Sequence, residues 1–435
     1  MNRDIEVALK RWKVSSRRKP LVVQGARQVG KTYTIKSFGN TAYEDIAYFN
    51  FEENPDLGSI FVQDLNPIRI LSMLSLAGGV TLDPEKTLII FDEIQESNRA
   101  LNSLKYFAEQ APQYHVVAAG SLLGVKLSEP GSFPVGQVTF LYMYPLSFYE
   151  FLSALNQEEL RQFIEHKSDL APIPEIFHTR LIEFLKVYYI TGGMPACVQT
   201  YLDTNNGDAC RKVQQDILTS YVLDFSKHVP SPDIPKVTSI WNSLPAQLAR
   251  ENKKFLYRLV REGARARTYE NALAWLEDSG LTLRARQVSA VRIPLSSYAS
   301  YKAFKIYVHD VGLLGALSML HPGVLLQGNR LFTEFRGAFT ENYVAQEITA
   351  RTGNKLYYWS SEGEAEVDFL IEGQGEIVPL EVKAGHSIKS KSLRVFAEKT
   401  GSSRLFRTGL RNFSSSQIIR HFPLYAVANS PRFLN

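Results

Sequence analysis

Short apolar runs ending in glycine or acidic residues alternate with helical spacing through the first third of the chain. Residues 21–24 (LVVQ), 46–50, 87–93 (TLIIFDE), 114–119 and 138–141 read as buried strands. Runs this uniformly apolar belong in a parallel sheet covered on both faces, which predicts an α/β domain over residues 1–150. From 148 to 227 the spacing turns helical, in FYEFLSAL, EELRQFIEH, HTRLIEFLKVYYI and CRKVQQDILTSYVLDFSKH, which predicts a helical lid over 151–229. Pro230, Pro232 and Pro235 mark the next boundary. After them 239–249, 253–261 and 269–277 read as three short helices, and 281–288 and 303–308 as strands. That is the element order of a winged-helix module over 230–325. The remainder, 326–435, opens with a helix over 333–350 and shifts to strands at 356–359, 366–371, 377–383 and 403–406.

Composition narrows the class. With 435 residues, 45% hydrophobic and 21% charged, the chain is long enough for several domains and too ordinary in balance for a disordered or fibrous protein. Cys197 and Cys210 are the only cysteines, too few for a disulfide framework or a cysteine metal cluster, which predicts a reducing, cytoplasmic setting. No charge-free apolar stretch reaches the ~18 residues of a spanning helix, so no membrane partner is expected. The N-terminus, MNRDIEVALKRWKVSSRRKP, lacks an apolar segment after its basic residues and reads as an amphipathic helix that stays in the protein. Residues 250–295 hold ten Lys and Arg against five Asp and Glu, a net of +5 that equals the formal charge of the whole chain. A basic patch on a helix-turn-helix pattern points to DNA, although such a patch also serves as a plain solvated face.

Two constellations carry chemistry. The first is GARQVGKT, in which Gly25, four residues, Gly30, Lys31 and Thr32 follow the apolar run at 21–24. The glycines let backbone N–H groups converge on phosphates at a helix N-terminus, Lys31 reaches the terminal phosphates, and the Thr32 hydroxyl ligates Mg²⁺. Such a loop needs an acidic partner at the end of a neighbouring strand, and TLIIFDE supplies Asp92 for Mg²⁺ and Glu93 for the attacking water. ATP and Mg²⁺ are the implied cofactors. Ser121, after the strand at 114–119, is placed to sense the terminal phosphate, or is a turn residue.

The second constellation lies in the tail. Asp368 sits on one strand and Glu381 and Lys383 two apart on the next, with Gly373-Gln374-Gly375 between them. With Gln374 and Gly375 as the central turn residues, Asp368 faces Glu381, and two opposed carboxylates call for a cation between them. A Mg²⁺ held by Asp368 and Glu381, with Lys383 at the reacting phosphate and Glu341 as a further acid, would suit phosphodiester hydrolysis. The alternative is a polar solvent face in which Glu366 pairs with Lys383. Between two of the lid helices, Thr191-Gly192-Gly193-Met194-Pro195 reads as an interhelix turn.

With these motifs in view, the chain resembles a bacterial and archaeal family of AAA-type P-loop ATPases related to the signal-transduction ATPases with numerous domains. The resemblance runs through GARQVGKT, FDEIQ, AGSLL, YPLSFYEF, GGMP, YVLDFSKH, FKIYVHDVGLL, ENYVAQE, EVDF and LEVKAG. It implies an α/β fold in which a P-loop parallel sheet with its helical lid precedes a winged-helix-like domain and a C-terminal α/β endonuclease-like domain. It also implies that Gly193 and Pro195 pack on the adenine, that Ser121 is the first sensor, and that Asp368, Glu381 and Lys383, with Glu341, resemble the strands and helix acid of the PD-(D/E)xK nuclease fold. The chain departs from the pattern at Gly136-Gln137, where a basic residue would follow the glycine. The expected function is an ATP-hydrolysing switch that controls its downstream modules, with an ATP-regulated nuclease and a DNA-binding regulator as alternatives. Expected partners are DNA, through 250–295 and the tail, and a second copy of the chain.

Overall fold

A computed structural model describes residues 1–121, 136–250, 254–323, 336–361, 365–373, 375–384, 390–416 and 418–430. The chain divides into two compact units, Met1–Tyr144 with Asp278–Gly280, and Pro145–Glu277 with Leu281–Asn435.

In the first unit the apolar runs become five parallel strands: β1 (Leu21–Gln24), β2 (Asp45–Asn50), β3 (Thr87–Asp92), β4 (His115–Ala119) and β5 (Thr139–Tyr142). They lie in the order β2-β3-β4-β1-β5, so β4 separates the strand before the glycine loop from the acidic strand. The burial pattern follows that order. The inner strands β1, β3 and β4 are buried at every position, whereas the edge strand β5 exposes Phe140 and Tyr142. Parallel strands require crossovers, supplied among others by α2 (Lys31–Ala42), α3 (Pro67–Gly78) and α4 (Asn98–Gln110), while α1 (Ile5–Lys13) is the expected N-terminal helix. Asn66 starts α3 by accepting the N–H groups of Ile68 and Arg69, with Pro67 at the first helical position. On one face, edge-to-face contacts at 5.8–6.2 Å join Phe49, Phe51, Phe61 and Phe107 around Phe91.

The second unit begins with the helices expected as a lid, α5 (Phe148–Ala154), α6 (Glu158–Glu165), α7 (Glu175–Thr191), α8 (Pro195–Thr204) and α9 (Gly207–His228). Ser147 and Glu150 form a capping box at the start of α5. The region read as three short helices holds two, α10 (Ile234–Leu248) and α11 (Ala266–Asp278), with only a 3-10 turn at Tyr257–Leu259 where the middle one was expected; residues 251–253 lie outside the described set. The following strands, β6 (Thr282–Val288) and β7 (Ala299–Val308), form the expected hairpin but do not close a small module of their own. β6 pairs in parallel with β8 (Leu356–Ser360), which makes the hairpin the edge of a mixed eight-stranded sheet. That sheet continues through β9 (Glu366–Gly373), β10 (Glu376–Val382), β11 (Leu405–Gly409), β13 (Ile419–Pro423) and the two-residue β12 (Ser414–Ser415).

Shorter helices α12 (Val311–Leu317) and α14 (Lys391–Thr400) precede and follow along the chain a longer one, α13 (Arg336–Thr352), whose expected first residues 333–335 are outside the described set. From Ala338 to Thr349 every residue of α13 is buried, so it carries polar side chains where a surface helix would meet water. Several find backbone, whereas Glu341 meets the Tyr307 hydroxyl and Lys305. Asn342 accepts the Val308 N–H and donates to the Val308 carbonyl, both at 2.8 Å. Gln346 accepts the Val311 N–H at 2.9 Å, and Glu347 accepts the Phe148 N–H at 2.9 Å. Asn342, Gln346 and Glu347 of ENYVAQE thus close backbone groups that the end of β7 and the starts of α5 and α12 leave open.

Because Asn342 satisfies two buried backbone groups at once, Asn342→Leu should lower unfolding stability by about 3 kcal/mol, the cost of two orphaned groups. The measurement is the melting temperature of the full chain. A variant that melts with wild type would remove Asn342 from this role.

Candidate functional site

The glycine loop is built by close approach. Gly25 adopts φ +148°, and a Cβ there would fall 2.1 Å from the Met143 carbonyl oxygen at the end of β5, so a side chain has no room. Gln28 (φ +67°) and Gly30 (φ +94°) are left-handed, the alternation that makes anion-binding nests of backbone N–H groups, and α2 starts directly after Gly30.

Lys31 is the first residue of α2 and is only 6% exposed. Its Nζ donates to the carbonyls of Gly25 (2.9 Å) and Ala26 (2.8 Å), which are neutral acceptors. Desolvation pushes its pKa down from 10.5 to about 8, although the nearby carboxylates of Glu93 and Asp92 pull the other way. A buried ammonium with this deficit of negative charge is what an incoming phosphate would fill.

Beside it, the Thr32 hydroxyl, in the first turn of α2, donates to Asp92 Oδ2 at the end of β3 at 2.7 Å. The same oxygen accepts the Tyr48 hydroxyl at 2.9 Å, and Asp92 Oδ1 accepts the Glu93 N–H at 3.1 Å. Hydroxyl and carboxylate brought together this way fit a magnesium ion that keeps several waters and takes phosphate oxygens. Among the described residues no three His, Cys, Asp or Glu side chains converge as an all-protein metal site requires. Glu93 adopts φ +48°, a costly conformation for a residue with a side chain, and Gln95 Nε2 donates to its Oε2 at 2.6 Å. Ser121 is buried just past β4, in the strand position between the loop and Asp92; Leu122 and Leu123 of its motif lie outside the described residues. Gly25, Gly30, Lys31, Thr32, Asp92, Glu93 and Ser121 all belong to the first unit.

Gly193 and Pro195 belong to the second unit. The Gly193 N–H donates to Asp310 Oδ2 at 2.6 Å, its carbonyl accepts the Leu146 N–H at 2.7 Å, and a Cβ would meet the Leu146 carbonyl oxygen at 2.1 Å. Gly192 (φ +64°) lies against the same Asp310 carboxylate, which also caps α12 by accepting the Leu313 N–H. Burial raises the Asp310 carboxyl to about 6 against the pull of these N–H groups. Close packing therefore accounts for both glycines, and Pro195 opens α8.

In the tail, the β9-β10 ladder runs from Glu376 opposite Gly373 to Leu380 opposite Phe369, the register expected for a turn centred on 374 and 375, of which Gln374 lies outside the described residues. Asp368 Oδ2 accepts the Val382 N–H at 2.7 Å. Lys383 Nζ lies 2.9 Å from Glu381 Oε1, so its partner is Glu381 and not Glu366. Glu366 instead meets Lys305 at 2.5 Å, and Lys305 also lies near Glu341 and Asp368. The sequence reading overlooked Lys305, Tyr48 and Gln95. A lone lysine inside the apolar run FKIYV was the available sign, since a charge in a buried strand needs a counter-charge.

With the geometry in place, comparison with known proteins divides the chain in three. Residues 17–152 match an AAA domain family, 182–323 a domain of unknown function (DUF8612), and 336–427 another (DUF4143). The first unit is thus an AAA-type P-loop domain. The uncharacterized protein MJ1544 of Methanocaldococcus jannaschii is 23% identical over 424 residues, covering 94% of this chain and 84% of its own. The uncharacterized protein Rv2008c of Mycobacterium tuberculosis is 34% identical over 80 residues, 18% of this chain and 17% of its own. Among solved structures, the Walker-type ATPase PABY2304 of Pyrococcus abyssi is 13% identical with a TM-score of 0.45, covering 73% of this chain and 95% of its own.

Lys31 gives the loop a proton signature. Above pH 8 its amine is largely neutral in the free protein, and a bound triphosphate restores the charge, so binding should take up a proton and weaken as pH rises. Calorimetry of a non-hydrolysable ATP analogue at pH 9, in two buffers of different ionisation enthalpy, should show uptake approaching about one proton. Lys31→Arg, always charged, should show none.

Proposed function

We propose that the protein is an ATP-dependent switch that binds and hydrolyses ATP·Mg²⁺ in its first unit and whose nucleotide state controls the second. The observation that carries the reading is the buried ammonium of Lys31, held only by neutral carbonyls in the hydrogen bonds found for it, beside the joined Thr32 and Asp92. Lys31 would neutralise the terminal phosphates, and Thr32 and Asp92 would hold the Mg²⁺, which supplies charge neutralisation at the phosphate oxygens. Glu93, fixed by its backbone and by Gln95, would orient and polarise the attacking water, and Ser121 would sense the terminal phosphate. A switch needs contacts that differ between the nucleotide states, and Lys31 would supply one by meeting the terminal phosphate in one state and the carbonyls of Gly25 and Ala26 in the other.

A second reading, DNA contact, draws on Arg258, Arg261, Arg265 and Arg267, which are exposed before and at the start of α11. The rest of the basic window is partly used within the fold: Arg284 pairs with Glu277 at 2.8 Å, and Arg286 lies over the Tyr301 ring.

Lys31→Ala should abolish binding of a fluorescent ATP analogue and phosphate release together. Glu93→Gln should keep affinity within a few-fold while phosphate release falls about 100-fold. Hydrolysis by Lys31→Ala at the wild-type rate would sink the switch. The DNA reading predicts an affinity that falls steeply with salt and is weakened in the double variant Arg265→Ala, Arg267→Ala; salt-independent retention on DNA would count against it.

A further inference from the structure

The acidic cluster of the second unit is chemistry that the nucleotide reading leaves unused. Lys305 lies in the buried half of β7 and its side chain has no solvent exposure. Its Nζ is 2.5 Å from Glu366 Oε1, 3.5 Å from Glu341 Oε2 and 3.9 Å from Asp368 Oδ1, so carboxylates from α13 and β9 converge on one ammonium. They have further donors: the Tyr307 hydroxyl to Glu341 at 3.2 Å and the Val382 N–H to Asp368. The attraction of these carboxylates, Glu341 foremost, holds the lysine pKa well above its usual value against full desolvation, so it stays charged.

A nuclease-like hairpin implies a divalent ion between Asp368 and Glu381, and the residues present do not fit one. An ion between Asp368 and Glu341 would face the Lys305 ammonium at close range, and like charges in a dry site repel strongly. Glu381 is 2% exposed, with Oε1 on Lys383, and Oε2 has no hydrogen-bond partner among the described residues. It is opposite Arg407 in the β10-β11 ladder, so positive charge already faces it from β11 as well as from Lys383. Waters could complete the shell of an ion on that oxygen, but the ion would stand beside the cationic Lys383 and Arg407, which already answer the Glu381 charge.

We infer that Lys305 is the resident cation of this cluster: its ammonium holds the place between Glu341, Glu366 and Asp368 that a divalent ion would need. The hairpin is then an ion-paired joint between β7, β9 and α13, and not a metal-dependent hydrolytic centre. The inference stands on the second unit alone and does not rest on the nucleotide reading.

Mn²⁺ titration of the full, nucleotide-free chain by electron paramagnetic resonance tests it. Wild type, Asp368→Asn and Glu381→Gln should give the same isotherm, because none of these groups holds the ion. A Mn²⁺ site in wild type that disappears in Glu381→Gln overturns the proposal, and so does Mn²⁺-dependent nicking of plasmid DNA that Glu381→Gln abolishes. Lys305→Met removes the ammonium and should melt well below wild type. Millimolar Mn²⁺ should then raise the melting temperature of the variant by several degrees and leave wild type unmoved. A folded Lys305→Met indifferent to Mn²⁺ counts against the ammonium as an ion's stand-in, and if this variant does not fold the comparison of wild type with Glu381→Gln still decides.

Discussion

An ammonium taken out of water must be met by negative charge or give up its proton, and the two sheets of this protein answer that constraint in opposite ways. Beside the parallel sheet, at the start of α2, Lys31 is buried against carbonyl oxygens, and its amine drifts toward neutrality. In the mixed sheet Lys305 is buried against three carboxylates and stays charged. The first nitrogen is left among neutral acceptors, and the second is surrounded by opposite charge. The same residue type is thereby loosely protonated in one place and firmly charged in the other, and only the surroundings decide which.

The rest of the second unit shows how much polar chemistry a core can carry. Asn342, Gln346 and Glu347 close backbone ends, Asp310 serves Gly193 and Leu313 together, and Arg211 reaches the Gly312 carbonyl from α9. A Cβ at Gly315 would come within 2.9 Å of the Arg211 guanidinium, so a side chain there would displace that arginine. These contacts tie α5, α9, α12, α13, β7 and the turn before α8 by bonds that tolerate little substitution, so motifs that look like ligand-binding signatures also have packing explanations.

The P-loop sheet was legible because its signals are local: each buried strand is a continuous apolar run, and the loop's glycines and the Thr32–Asp92 pair sit at fixed offsets from those runs. The hairpin register was legible for the same reason, since a two-residue turn fixes every pair that follows. What local pattern could not reveal was partnership across the chain. The helix-then-hairpin order at 234–308 imitates a small module, and nothing near β6 tells that its neighbour is β8. Likewise Lys383 and Glu366 looked like a pair at strand spacing, while each had a better partner brought in by tertiary packing. The strands at 414–415 and 419–423 were missed because they are short and polar, carried by a sheet already formed.

The parallel pairing of β6 with β8 has a consequence for how the protein is made. During synthesis the β6-β7 hairpin leaves the ribosome well before Leu356, where its neighbour begins, and until then β6 presents a bare row of N–H and C=O groups. A nascent chain in that interval has an adhesive edge, open to pairing with the same edge of another copy. Translational pauses between the hairpin and β8 would lengthen that exposure, so codon choice over this stretch bears on yield even where it leaves every amino acid unchanged.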